Sequence, residues 1–133
     1  MTAYVDASAV VKLYVEEPDS ARATEVLDTP WASGRHTLVE VRRALVQTLE
    51  GHELDAARAR FEVDWLATNV IELEPRTCER AAELAEKTGA RTLDALHLAA
   101  AERAGSGDGL PIVTFDRRLA DAAHSLGWTV LGT

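Results

Sequence analysis

The sequence predicts a three-layer α/β/α domain with a mostly parallel central sheet. Three observations predict it. Short runs rich in β-branched and aromatic residues recur along the chain, amphipathic helical stretches separate them, and glycine or proline punctuates several of the junctions. Strands that alternate with helices need right-handed crossovers, which pair the strands in parallel and cover both faces of the sheet.

Taken in order, residues 2–5 form the first strand, which ends at Asp6, and residues 7–15 continue as a helix with Val10, Val11 and Tyr14 at helical spacing. Pro18, Asp19 and Ser20 start the next helix, with Ser20 as N-cap for residues 21–27. Residues 30–33 form a short strand. Thr37 then opens an amphipathic helix in which Thr37 and Glu40 have capping-box spacing and Leu38, Val41, Leu45 and Leu49 share a face. Residues 54–67 are a second such helix, and residues 70–73 a strand before Pro75. The helix over 77–88 stops at Gly89, where a left-handed cap is least costly, and Cys78 reads as a packing residue on it. A helix runs from Thr92 to about Ala104, and residues 105–109 read as a flexible surface loop. Residues 111–115 form a strand ending at Asp116, residues 118–126 a helix closed by Gly127, and residues 128–131 the last strand.

The 133 residues, 47% of them hydrophobic, suit one core, so one domain over 1–133 is expected. No stretch approaches the roughly 20 apolar residues of a membrane span, and Met1 leads into Tyr4, Val5 and Asp6 without a signal region. A cytoplasmic protein with no membrane partner is the expectation. One cysteine excludes an internal disulfide and a multi-thiolate metal site. A net charge of -8 argues against a nucleic-acid partner at first sight. Carboxylates that hold a divalent cation are neutralised by it, however, so the charge leaves the partner open.

Ligands of open α/β sheets bind beyond the carboxyl ends of the strands, which singles out Asp6 and Asp116. An acid there is desolvated, and two acids raise each other's pKa, a conflict that a divalent cation resolves. Magnesium and manganese suit a few such oxygen ligands. Glu40 and Asp94 are plausible additions because each lies in the first turn of a helix, where an anion is favoured. Each acid has a second reading: Asp6 as an N-cap, Glu40 as the return arm of a capping box, Asp94 as a first-turn acid, and Asp116 as a turn residue.

Four segments carry a resemblance: Tyr4-Val-Asp6-Ala-Ser8-Ala-Val-Val-Lys12, Thr37-Leu-Val-Glu40-Val-Arg-Arg-Ala44, Arg91-Thr-Leu-Asp94-Ala-Leu-His97-Leu-Ala99 and Val113-Thr-Phe-Asp116-Arg-Arg-Leu-Ala120. Together, and in this order, they resemble the PIN-domain ribonucleases, specifically the VapC toxins of bacterial toxin–antitoxin pairs. The resemblance spans nearly the whole chain. It implies that Asp6, Glu40, Asp94 and Asp116 bind Mg2+ or Mn2+, with Thr114 and Ser8 as polar neighbours of that centre. It also implies an endoribonuclease acting on transfer or ribosomal RNA, inhibited by a VapB-type antitoxin and usually a homodimer.

Arg117, Arg91 and Lys12 are candidate grips for RNA phosphates, Arg117 first because it adjoins Asp116; each also reads as a solvated surface charge. His97, three residues after Asp94, reads as a helix residue packing near or hydrogen-bonding within the site, and His36, His52 and His124 as isolated. Trp31, Trp65 and Trp128 read as core or interface residues rather than base-stacking platforms. An apolar helix face between Leu45 and Leu66 suits a partner helix. Two rival functions are a catalytically silent PIN-like module that binds RNA or protein, and a phosphoacceptor receiver domain. The receiver needs paired acids after its first strand and a lysine after a late one, and here only Asp6 ends the first strand while the lysines are Lys12 and Lys87.

Overall fold

The computed structural model describes residues 2–27, 30–105 and 109–133. Among them the strands β1 (Tyr4–Val5), β2 (Ala32–Gly34), β3 (Asn69–Ile71), β4 (Ile112–Val113) and β5 (Val130–Leu131) form one sheet. The helices are α1 (Ala7–Val11), α2 (Ser20–Val26), α3 (Thr37–Thr48), α4 (Gly51–Leu66), α5 (Pro75–Thr88), α6 (Thr92–Gly105) and α7 (Arg117–Ser125). The strand order is β3-β2-β1-β4-β5, and every pairing is parallel.

Alternation along the strands divides the core in two. Val5 and Val113, paired in register, join Val10 of α1, Val41 and Leu45 of α3 and Phe61 of α4 on one face. Tyr4 and Ile112, paired one step earlier, join Leu84 of α5, Leu98 of α6 and Leu119 of α7 on the other. These two clusters give the three layers expected of a sheet whose side chains alternate with a period of two. Each fully buried leucine among them contributes about 1.5–3 kcal/mol relative to exposure. Helix α6 is buried on more than one side, and its Ala95, Ala99, Ala100 and Ala101 keep it slim enough to pack against both α5 and β2.

Several local expectations are corrected. Ser20 is not an N-cap: Asp19 holds that place, and the buried Ser20 hydroxyl accepts from Glu17 N and donates to the Val15 carbonyl. The capping box of Thr37 and Glu40 does not form. His36 takes the N-cap position, and Thr37, fully buried, accepts a 2.7 Å hydrogen bond from Ser33 Oγ instead. Cys78 is exposed, because α5 turns Thr77, Ala81 and Leu84 inward. The first helix ends at Val11 rather than near residue 15, since Leu13 N and Tyr14 N close tighter three-residue turns onto Val10 and Val11. Gly89 has the left-handed conformation expected of it, with φ of 76°. Of the expected loop over 105–109, residues 106–108 lie outside the described residues.

Candidate active site

The strand order places β1 at the centre, with β2 and β3 to one side and β4 and β5 to the other. The crevice beyond the carboxyl ends of β1 and β4 is therefore the topological switch point, where open α/β sheets bind ligands. Asp6 directly follows β1. Because Val5 pairs with Val113, Asp6 stands beside Thr114. Thr114 Oγ1 donates to Asp6 Oδ2 at 2.7 Å, Ser8 Oγ donates to both carboxylate oxygens at 2.8 and 2.9 Å, and Ala9 N donates to Oδ1 at 3.1 Å. Asp6 is thus the N-cap of α1 as well as a residue of the crevice. Three donor hydrogens, that of Ser8 shared between the two oxygens, meet a carboxylate with about four acceptor sites. Burial raises its pKa above the ordinary value, while His97, Thr114, Ser8 and Ala9 oppose the rise.

The same hydroxyls arrange the chain that follows β4. Ser8 Oγ accepts from Phe115 N at 2.9 Å, and Thr114 Oγ1 accepts from Asp116 N at 3.0 Å. Asp116 also serves as an N-cap, its Oδ1 accepting from Arg118 N at 2.9 Å. For Asp6 the N-cap reading and the strand-end placement are both correct, whereas Asp116, read as a turn residue, is the N-cap of α7 and stands three residues beyond the end of β4.

Asp94 lies in the first turn of α6. Its pKa is raised first by burial and next by the charge of Asp116, with Asp6 and Glu40 adding to the rise and His97 opposing it. The four acids expected from the sequence therefore share one electrostatic environment. Mutually repelling, partly desolvated carboxylates are a hard oxygen-donor set, and they fit a divalent cation that offsets their repulsion. They are not drawn into one tight cluster, however.

Among the described residues, the group of ligand-type side chains with ligand atoms within 4.8 Å of one another is His36, Glu40 and His97. His97, 2% exposed, spans between helices: its Nε2 lies 2.8 Å from Glu40 Oε1 and its Nδ1 2.7 Å from Tyr4 Oη, which accepts from Gly34 N at 2.9 Å. The arrangement expected of His97, a hydrogen bond within the site, is present. His36 is not isolated: its ring centroid is 4.0 Å from that of His97, and its Nε2 is 3.8 Å from Glu40 Oε1. Neither His36 ring nitrogen makes a well-formed hydrogen bond, although the Leu93 backbone interacts with the ring and favours its protonated form. Burial, aided by His97, lowers the His36 pKa to about 4, so the ring is neutral near pH 7. Four-residue spacing to Glu40 was the signal for His36 in the sequence, but it carries weight only once His97 is seen to arrive from another helix.

The candidate cationic residues are spread around this edge. Lys12 lines a cleft of about 480 Å3 with Ser8, Glu40 and Arg43, but its ammonium is held by Glu17 at 2.7 Å and Asp19 at 3.5 Å. Arg91 and Arg118 line a second cleft, of about 390 Å3, beside Asp94. Arg117 is exposed at the start of α7, next to Asp116. Trp31 is buried in the core, and Trp65 and Trp128 pack against it partly buried.

The PIN domain family matches residues 3–125. Ribonuclease VapC45 of Mycobacterium tuberculosis is 38% identical over 134 residues, which span 96% of this chain and 92% of that protein. Among solved structures, M. tuberculosis VapC20, described as a sarcin-ricin loop cleaving toxin, superposes with a TM-score of 0.70 at 18% identity, covering 90% of this chain and 94% of that one. A toxin–antitoxin complex from Klebsiella pneumoniae gives a TM-score of 0.68 at 19% identity, covering 87% of this chain and 88% of that chain. With a parallel sheet, acids at its switch point and a VapC relative along nearly its whole length, the chain belongs to the PIN-domain family and, within it, to the VapC ribonucleases.

Proposed function

We propose that this protein is the toxin of a toxin–antitoxin pair, an endoribonuclease that depends on Mg2+ or Mn2+ held by Asp6, Glu40, Asp94 and Asp116 and that cuts transfer or ribosomal RNA. The observation that carries the reading is the environment of Asp94 at the sheet's switch point, whose pKa is raised first by burial and then by the charges of Asp116, Asp6 and Glu40. A divalent ion supplies charge stabilisation for the phosphodiester transition state and a water of lowered pKa as nucleophile.

The chain's own groups do the positioning. Ser8 and Thr114 hold the Asp6 carboxylate in place by hydrogen bonds. His97 orients Glu40. Arg117 and Arg91 attract RNA phosphates around an edge that the cation has made less negative. Lys12 is the weaker grip because two acids already hold it. A VapB-type antitoxin docks an amphipathic helix on the cleft of about 530 Å3 between α3 and α4, where Val39 and Val46 are exposed beside Arg42, Arg43 and Arg58. The free toxin is a homodimer, one PIN domain per chain over 1–133.

The test is cleavage of total cellular RNA by the purified chain with Mg2+ or Mn2+, beside Asp94→Asn and a chelator control. The expected result is metal-dependent fragments with 5′-phosphate ends that neither control produces. Equal cutting by wild type and Asp94→Asn overturns the site, and metal-independent RNA binding without cutting supports a silent binding module instead.

A further inference from the structure

We propose that His36, Glu40 and His97 form a second cation site, distinct from the carboxylate edge in its nitrogen donors, that takes a borderline divalent transition ion such as Zn2+. The donor set is two imidazoles and a carboxylate with ligand atoms within 4.8 Å of one another. Such a set suits zinc, whereas magnesium prefers oxygen alone. His36 and Glu40, four residues apart where α3 begins, present their groups to the same side, and His97 arrives from α6. Two ligands four apart on one helix are a recurrent zinc-binding arrangement.

The distances are within reach of tetrahedral coordination. Zinc bonds of about 2.0–2.1 Å place neighbouring ligand atoms about 3.4 Å apart. His36 Nε2 and Glu40 Oε1 stand at 3.8 Å and His97 Nε2 and Glu40 Oε1 at 2.8 Å, so these two pairs adjust by about half an ångström, and the His36 and His97 nitrogens lie within 4.8 Å of each other.

Two independent observations point to a ligand here. His36 is only 9% exposed, yet neither of its ring nitrogens makes a well-formed hydrogen bond, the Leu93 backbone being a weak neighbour, a cost that a polar group buried without function does not usually carry. The ring also sits where a β-carbon on Gly34 would meet it at 2.6 Å, so the backbone makes room for it. His97, in turn, already has the outer partner that zinc-bound histidines keep, with Tyr4 Oη 2.7 Å from Nδ1. When Nε2 binds the ion, the single proton of the neutral imidazole sits on Nδ1, facing Tyr4 Oη, and none remains between Nε2 and Glu40. Glu40 is the most accessible of the three and lines the open cleft with Ser8 and Lys12, which provides the entry path. Three protein ligands leave a fourth position for water.

Because Glu40 serves both sites, zinc here takes one acid from the carboxylate edge and lowers Mg2+-dependent cleavage. That consequence rests on the ribonuclease reading, whereas binding of the ion does not.

Binding is measured without RNA, by calorimetry with Zn2+ and by the visible absorption of Co2+. The expected result is one equivalent bound by wild type and by an Asp94→Asn/Asp116→Asn double variant, with affinity in His36→Gln weaker by more than about tenfold, the least that loss of even an outer partner typically costs. Equal affinity in His36→Gln and wild type, or binding lost only in the double variant, overturns the site. Imidazole 15N spectra of the wild-type protein need no variant: His36 and His97 signals shift on adding Zn2+ if the site exists, and a shift confined to His52 and His124 overturns it. If zinc binds at these residues but leaves RNA cleavage unchanged, the coupling through Glu40 is wrong and the binding site stands.

Discussion

Glu40 Oε1 lies 2.8 Å from His97 Nε2, a contact that joins the first turn of α3 to α6 and continues through His97 Nδ1 to Tyr4 Oη and the Gly34 backbone. The carboxylate that the sequence reads as half of a capping box is therefore oriented by a chain reaching into the sheet, and His97 controls its direction.

His97→Ala is expected to lower kcat for RNA cleavage about 10–100-fold, the loss usual when an outer partner of a metal ligand is removed. It also leaves the buried Tyr4 hydroxyl with one partner fewer, at a cost of about 1–3 kcal/mol. Steady-state kinetics beside urea unfolding separate the two effects. A kcat unchanged in the folded variant contradicts the orienting role.

Asp94→Asn should separate activity from stability. The raised pKa of Asp94 means that the folded chain holds its proton more tightly than the unfolded one. In chelator, stability from this group is full below the ordinary value of 3.8 and falls as pH rises through the folded value. Removing the charge should raise Tm at pH 7 by a few degrees while cutting metal-dependent cleavage by about 100-fold or more. A thermal melt in chelator that shows the variant less stable than wild type argues against repulsion among these acids.

His36 titrates with the opposite sign. Unfolded, it takes a proton near 6.5; folded, only at about 4. Its contribution to stability is therefore complete above about 6.5 and lost as pH falls toward 4. Asp6 and Asp94 pull the other way, so the measurement is the difference between wild-type and His36→Gln unfolding curves across pH 4–7. The variant's curve should fall less steeply on acidification, and parallel curves contradict the burial of a neutral ring.

Gly34→Ala tests the room left for His36. An alanine in a strand gains about 0.4–1 kcal/mol by restricting the unfolded chain. Its β-carbon, however, would meet the His36 ring at 2.6 and 2.7 Å and Tyr4 Oη at 3.0 Å, an overpacking that costs about 1–3 kcal/mol. Net destabilisation in urea is expected, with zinc affinity reduced along with it. A stabilised variant that binds zinc normally rules out a tight seat for the ring.

Element types were legible because they depend on local periodicity and punctuation. Val5 and Val113 sit in short β-branched and aromatic runs, Leu38, Val41 and Leu45 recur at helical spacing, and Gly89 stops α5, so the layers follow from neighbours in the chain, although the strands are shorter than those runs. Asp6 and Asp116 stood out for the same reason, as acids at strand ends. What local pattern misled on was any group with two partners to choose between. Thr37 has a capping-box sequence, yet Ser33, on the adjoining strand, offers its hydroxyl a buried partner and wins. Cys78 has a helix on both sides, but the register of α5 turns it outward. The relation of Glu40 to His97 spans 57 positions, and that of Tyr4 to His97 spans 93. Such a contact exists only after β1 and β2 have paired and α6 has packed over them, because no local rule brings an imidazole on one helix to a carboxylate on another.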